Sequence, residues 1–232
     1  MNIIYTVLDA VLSVVALLLC VLPHEIAHGY TAYLMGDNTA KYMGRLSINP
    51  LKHINYNYAK FILGGMLIAK LLTNVPVMGT LASMLMWVGF VLLLKPVPIN
   101  AGNFNDPKKG MAITALAGPV TNLVFAFLSC VLWAYFPFVP VLSEFFMVLA
   151  SYNISLAVFN LIPVPPLDGS RVLFAFLPQK YYFQLMQYER YIMFGFLALV
   201  WFGVLDAVIT RGSYNVFNAF IKIISYFPGT PF

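Results

Sequence analysis

The sequence predicts an all-α polytopic membrane protein with about four to six transmembrane helices, a short β-hairpin at the membrane surface and a proline-rich extended break. Of its 232 residues, 61% are apolar and only 9% are charged, whereas roughly 45–50% and about 25% are usual in globular proteins. A water-soluble domain cannot cover its surface with so few charged residues, and a disordered chain needs the opposite composition. We therefore expect one integral-membrane domain over residues 1–232, surrounded by the lipid bilayer.

The N-terminal part is predicted to form one long helix over residues 3–35, because a turn-forming Gly-Asp-Asn cluster at 36–38 ends the apolar run. Weak alternation of apolar and polar residues over 40–50 then predicts the hairpin. The apolar stretch 56–94 is interrupted by glycines and a proline. We expect this stretch to cross the bilayer twice, with a re-entrant excursion as the alternative.

Further spans are predicted at three places: 111–136, 141–162 and 190–210. Three prolines interrupt residues 163–167, and because proline removes backbone donors and forbids helix, this segment should be extended. The last apolar run, 216–226, is too short for a bilayer that needs about 20 helical residues. We place the core of the domain over 3–175 and its C-terminal helices over 190–228.

Basic residues predict the orientation in the cell membrane. Nine of the thirteen lie in the loops 36–56, 95–111 and 163–190, so these loops should be cytoplasmic and the N-terminus outside, with Arg211 on the outer side. No dense basic block interleaved with aromatic residues occurs, which argues against a nucleic-acid partner. The nine basic residues in the three predicted cytoplasmic loops are Lys41, Arg45, Lys52, Lys95, Lys108, Lys109, Arg171, Lys180 and Arg190.

The first helix carries an HExxH motif, His24-Glu25-Ile26-Ala27-His28. Histidines at i and i+4 lie on one helix face about 6 Å apart, so both can bind one zinc ion. Glu25 lies near enough to accept a proton from water at the metal. The alternative, polar residues at a helix end, is less favoured because His28 lies roughly 12 Å from the helix end at Gly36, a costly depth for polar groups.

A catalytic zinc ion needs a third protein ligand. Asp168 follows the proline-rich break, which could bring its carboxylate to the level of the two histidines; a simple turn-forming Asp-Gly is the alternative. His53, the only other imidazole, is a less favoured third ligand. Cys20 is expected to be a small buried residue. Arg171 is expected either to hold the Asp168 loop by ion pairing or to anchor the chain at the inner surface.

Three motifs occur along the chain in this order: HEIAH at 24–28, GPVTN at 118–122 and NLIPVPPLDG at 160–169. Together they resemble the site-2 protease family of intramembrane zinc metalloproteases. Segments 44–53 and 95–100 also resemble the small bacterial or archaeal members, relative to which 56–76 looks like an insertion. The resemblance implies three ligands to one zinc ion: His24, His28 and Asp168.

The same resemblance implies that Glu25 is the general base, that Asn160 lies near the substrate and that Asn122 supports the substrate site. Asn160 is our candidate for the amide that stabilises the oxyanion, and its alternative is a helix cap or an interhelical hydrogen bond. The extended segment with Pro163, Val164 and Pro165, together with the hairpin, would offer edges to an unwound substrate.

We therefore expect an intramembrane zinc protease that cuts transmembrane segments of other membrane proteins near the cytoplasmic leaflet. A catalytically silent scaffold that binds transmembrane helices is one alternative. A metal transporter is another, although no internal repeat of the kind common in transporters is visible. We also consider control by a regulatory membrane partner.

Overall fold

The computed structural model describes residues 3–53 and 97–229, which are mostly helical with no strand among them. Two short 3-10 turns, Pro50–His53 and Ala101–Asn103, lie in the loops. The α-helices of the described residues are α1 Ile3–Leu34, α2 Thr39–Tyr42, α3 Pro107–Tyr135, α4 Pro140–Asn160, α5 Asp168–Ala175, α6 Gln179–Trp201 and α7 Asp206–Ile224.

Three described helices are long and apolar enough to cross a membrane: α1 from Val11 onward, α3 and α4. The helices α6 and α7 pass the same test only as a pair, and they are bent by 79° at the break between them. The structure thus agrees with a helical membrane protein. The predicted total of four to six spans stays a prediction, because 56–94, with its proposed insertion 56–76, lies outside the described residues.

Small residues let the three candidate spanning helices approach closely. Along α1 and α3 the order of contacts is antiparallel, since His28 meets Thr114 and Cys20 meets Asn122. A buried cluster of Cys130, Ala134, Ala150 and Ile224 joins α3, α4 and α7. Packing of small side chains is how helices associate where lipid removes the usual hydrophobic driving force.

The C-terminal helix α7 runs antiparallel to α4. A Cβ atom on Gly212 would lie 2.8 Å from the side chain of Val158, near the end of α4, while Ile224 packs in the cluster with Ala150. A continuous helix over 190–210 is therefore not present, because the chain bends after Trp201, and a span in this region stays a prediction. Arg211 consequently lies at the same end of α4 as Asn160, not at the opposite end as the loop count predicted.

The end of α1 was predicted correctly. Gly36 has a φ of +105°, its N–H donates to the carbonyl of Tyr33, and the N–H of Asp37 donates to the carbonyl of Ala32. This left-handed cap closes the last turn of the helix and reverses the chain. The cap therefore fixes where the Asp37 side chain leaves the helix.

The predicted hairpin over 40–50 is not present. The backbone amides of Tyr42, Met43 and Arg45 instead donate to carbonyls four or five residues earlier, which gives α2 and a tight turn. Because these amides already donate to nearby carbonyls, they need no partner strand. The weak alternation of apolar and polar residues is not enough to favour a hairpin over these local bonds.

The proline-rich break is a chain of turns and not an extended segment. The N–H of Val164 donates to the carbonyl of Ile162, and that of Leu167 to the carbonyl of Val164. The only amides between 163 and 167 are therefore used locally. At the following helix start, a Cβ atom on Gly169 would lie 2.3 Å from the carbonyl oxygen of Leu161, so glycine lets α5 begin against the end of α4.

Candidate metal centre

The two histidines of the HExxH motif face one another on α1. Their Nε2 atoms are 3.0 Å apart, and both residues are buried, at 5% exposure for His24 and 7% for His28. The spacing i, i+4 on one helix face produces this approach. The sequence prediction that both imidazoles point to one place agrees with this geometry.

Asp168, the first residue of α5, comes from a distant part of the chain to the same place. Its Oδ2 atom lies 3.3 Å from Nε2 of His24 and 3.3 Å from Nε2 of His28. Turns in the proline-rich segment and the packing of Gly169 on Leu161 position this residue. The three side chains form a candidate metal-binding group among the described residues.

The chemistry of this donor set fits a zinc ion. Asp168 Oδ2 is buried and accepts no hydrogen bond in the described part of the chain. Two imidazole nitrogens and a carboxylate oxygen lie at mutual distances of 3.0–3.3 Å, and a shared cation would stabilise this arrangement. Tetrahedral zinc with bonds of about 2.0–2.2 Å places its donors roughly 3.3–3.6 Å apart. The two distances to Asp168 meet this spacing, and the Nε2–Nε2 distance of 3.0 Å is slightly shorter.

The ring nitrogen of His28 that faces away from the metal-binding group is also hydrogen-bonded. Its Nδ1 atom lies 2.7 Å from the backbone carbonyl of Thr114 on α3, so Nδ1 carries the proton and Nε2 is left with its lone pair. His24 Nδ1 is buried and has no hydrogen-bond partner among the described residues. Helix α3 therefore fixes the tautomer and the ring orientation of one histidine.

Gly118 makes room for both imidazoles. A Cβ atom at this position would lie 2.5 Å from Nε2 of His28 and 2.6 Å from Cε1 of His24. No larger residue fits here without displacing a ring. Gly118, in the GPVTN motif, thus lets α3 approach α1 closely at the metal-binding group itself.

Glu25 is fixed by a loop. Its Oε2 atom accepts the backbone N–H of Val97 at 3.0 Å. The side chain of Val97 packs on α1 at Gly29, where a Cβ atom would lie 2.6 Å from Val97 Cγ1. Sequence analysis noted Val97 only as part of the family-like segment 95–100, because a backbone donor has no side-chain signature. Gly29 was not singled out.

The sequence comparisons decide the family of the chain. The sequence profile described as "Peptidase family M50" matches residues 12–147 and 139–202. The chain belongs to peptidase family M50. This is the site-2 protease family of zinc metalloproteases, as the motifs indicated.

Curated relatives of this M50 chain carry matching names. "Putative zinc metalloprotease YwhC" of Bacillus subtilis is 31% identical over 195 residues, which cover 80% of this chain and 78% of that protein. "Putative zinc metalloprotease Rip2" of Mycolicibacterium smegmatis is 30% identical over 63% of this chain, and the chain spans only 49% of that relative. No solved structure matches the chain.

The remaining predicted M50 substrate residues are placed differently from one another. Asn160 ends α4 directly before the Leu161 carbonyl that packs on Gly169. Asn122 is 1% exposed and its Nδ2 donates to Cys20 Sγ at 3.7 Å, so it lies inside the interface of α1 and α3. Its predicted role at the substrate site, as a residue that supports it, stays a prediction.

The proline-rich residues have unequal access. Pro163 is exposed, Val164 is half-buried and Pro165 is buried. With the local amides already bonded, Val164 offers no free N–H to a substrate strand. The segment therefore has no free N–H to donate to a substrate strand, and substrate contact at Pro163, Val164 and Pro165 stays a prediction.

Three other residues considered in the sequence analysis make contacts outside the metal-binding group. His53 is 1% exposed and its Nε2 lies 2.8 Å from the carbonyl of Ser47, outside the metal-binding group. Cys20 is buried between helices, as predicted. Arg171 pairs with Glu189 at 2.7 Å, which joins α5 to α6 three residues after Asp168.

Proposed function

We propose that this M50 chain is an intramembrane zinc endopeptidase that hydrolyses peptide bonds in or near transmembrane segments of other membrane proteins. In this proposal His24, His28 and Asp168 hold one zinc ion per chain, and Glu25 is the general base. The observation that carries the proposal is the convergence of the His24 and His28 Nε2 atoms with Asp168 Oδ2, where both histidines and Glu25 belong to a helix apolar enough to cross a membrane.

The chain's own groups would perform the proton transfers. Bound zinc supplies Lewis acidity, which makes water a better nucleophile and polarises a carbonyl group. Glu25 accepts the proton of the attacking water and returns it to the leaving amine as the peptide bond breaks. The N–H of Val97 occupies one oxygen of this carboxylate and so orients the group.

A helical substrate would have to unwind before cleavage, because its carbonyl groups are hydrogen-bonded along the helix. The Asn160 side-chain amide is our proposed donor to the oxyanion that forms at the attacked carbonyl. The exposed ring of Pro163 and the half-buried side chain of Val164 are proposed to contact the apolar side chains of the unwound segment.

We propose that the site faces the cytoplasmic side of the cell membrane and that the N-terminus is outside. The positive-inside rule supports this orientation, since Lys41, Lys108 and Arg171 flank the site end of the described helices. The contact of Gly212 with Val158 adds Arg211 to the same end, which strengthens the asymmetry.

The test is cleavage of a transmembrane model substrate by purified protein in detergent, with zinc counted per chain. Replacing Glu25 with Gln should lower cleavage by about 10²–10⁴-fold while zinc stays bound, because the base is lost and the ligands are kept. Glu144→Gln is the matched control, since Glu144 is an exposed carboxylate near the opposite end of α4. Wild-type cleavage by the Glu25→Gln protein would contradict the proposal.

A further inference from the structure

Asp37 is a buried carboxylate outside the metal-binding group. It follows the left-handed cap of α1 and is 0% exposed. Its Oδ2 accepts the N–H of Asn100 at 2.7 Å, and its Oδ1 accepts the side-chain amide of Asn103 at 2.7 Å and the N–H of Thr39 at 3.1 Å. The Thr39 hydroxyl donates to the same Oδ1.

These bonds keep Asp37 ionised. Burial of the side chain favours the neutral acid, but the hydrogen bonds from Thr39, Asn100 and Asn103 outweigh it and hold the pKa of Asp37 below its ordinary value. A buried carboxylate whose donors come from two separate loops ties those loops together more strongly than a neutral acceptor does.

The loop that Asp37 holds is the one that reaches Glu25. Val97 stands three residues before Asn100, and its N–H donates to Glu25 Oε2 at 3.0 Å. Between these two anchors, Pro98 fixes its own φ and favours extended backbone at the residue before it. The connection from Asp37 to Val97 is therefore short and stiff.

Close packing shows that the connection is built against α1. The side chain of Val97 fills the space over Gly29, and a Cβ atom on Gly29 would also lie 2.8 Å from Leu46. Gly29 and Glu25 are four residues apart, so they share one face of the helix. Val97 thus contacts the helix at two points, one apolar and one polar.

We propose that Asp37 is a positioning residue for the catalytic base: it anchors residues 97–103 so that the N–H of Val97 holds the Glu25 carboxylate beside the metal ligands. The role of Glu25 as base rests on the proposed function, but the link from Asp37 to Val97 does not. A displacement of a positioned group by about 1 Å can cost about 10²-fold in rate.

Amide hydrogen exchange resolved to single residues tests the link directly. Between residues 96 and 100 the prolines carry no amide hydrogen, so only Val97, Ile99 and Asn100 report. In the full-length Asp37→Asn protein, the Val97 and Asn100 amides should both exchange about tenfold faster, as expected when a hydrogen bond to a carboxylate is lost.

Two comparison variants give the direction of the effect. Glu25→Ala should speed exchange at Val97 and leave Asn100 protected, because Asp37 still holds Asn100. Asp106→Asn makes the same chemical change at an exposed carboxylate that caps α3 through Lys108 and Lys109, and it should change neither amide. Unchanged exchange at Val97 in Asp37→Asn would overturn the proposal.

Kinetics and metal content complete the test. Asp37→Asn should lower kcat about tenfold, with KM within about twofold and zinc per chain unchanged, because the loop positions the base and not the ligands or the substrate. Asn103→Ala, which removes one donor at an exposed position, should give a smaller loss of the same kind.

Failure of the two proposals can be told apart. If zinc-loaded wild type cleaves nothing, the proposed protease function fails, and exchange at Val97 and Asn100 still decides whether Asp37 positions the Glu25 loop. If wild type cleaves and Asp37→Asn shows faster exchange with wild-type kcat, or loses zinc, Asp37 is not a positioning residue for the base.

Discussion

The two sides of the site are held in different ways. On the metal side, His24 and His28 are fixed by helix packing, with Gly118 of α3 against both rings and the Thr114 carbonyl behind one of them. On the base side, Glu25 is fixed by the backbone N–H of Val97 in a loop that Asp37 anchors through hydrogen bonds. One side depends on shape and the other on a polar network.

Substitutions on the two sides should therefore have different effects on zinc binding and on the rate of cleavage. Poorer packing between α1 and α3 should lower the amount of bound zinc, because the donor atoms separate. Loss of the loop contacts should lower the rate of cleavage while zinc stays bound, because the ligands do not depend on the loop. The following predictions test this separation, and the largest effect comes first.

Gly118→Ala should remove most bound zinc and, with it, cleavage. The new Cβ atom would lie about 2.5 Å from the His28 ring, and overpacking of this kind forces side chains out of place at a cost of about 1–3 kcal/mol. Zinc analysis after purification measures the effect. Gly195→Ala is the control, because a Cβ atom at Gly195 meets nothing within 4 Å; equal zinc in the two variants would contradict the packing account.

Gly29→Ala should lower kcat by about 10–10²-fold and leave zinc bound, because the added Cβ displaces Val97 from α1 and releases the Glu25 carboxylate. The Val97 amide should exchange faster in the same protein. If zinc and rate fall together, the base side is not separate from the metal side.

The Asp37 anchor should weaken in acid. Since the folded-state pKa of Asp37 is lowered, its contribution to stability is present above its unfolded pKa of about 3.9 and is lost as pH falls through the folded pKa. The difference in thermal midpoint between wild type and Asp37→Asn should be constant from pH 7 to 5 and narrow below about pH 4. A gap that widens in acid would contradict the charged anchor.

The smallest effect is expected at the pair of Arg171 and Glu189, which joins α5 to α6. Both side chains are partly exposed, so Arg171→Met should lower stability by no more than about 1 kcal/mol. Lys109→Met removes the ion pair with Asp106, which is more exposed than the pair of Arg171 and Glu189. This substitution should leave the thermal midpoint unchanged. Loss of zinc in Arg171→Met would show that α6 supports the metal side.

The sequence was most informative about the metal side. The spacing of His24 and His28 predicted that these side chains would meet, because these residue types have little other use deep in an apolar helix. The resemblance of the motif around Asp168 to the family implied the third side chain. Glu25 was predicted as the base, but the residues that hold its carboxylate were not. Its donors are largely backbone amides, such as that of Val97, which any residue except proline could supply.

Helix ends and breaks were predicted unevenly. Gly36 marked the end of α1, because glycine readily takes the left-handed cap conformation. The break after Trp201 was missed, since hydropathy continues across it and only Gly203, with a φ of +68°, marks the turn. The prediction of a hairpin over 40–50 was wrong because the backbone amides of this segment form hydrogen bonds within local turns.

Zinc affinity of the Asp168→Asn protein, measured by competition with a chelator, tests the central claim most directly. Wild type and Asp106→Asn should each hold one zinc ion per chain, and Asp168→Asn should bind it at least about 100-fold more weakly, because a neutral amide replaces the only carboxylate ligand. Wild-type zinc affinity in Asp168→Asn would contradict a metal centre built from His24, His28 and Asp168.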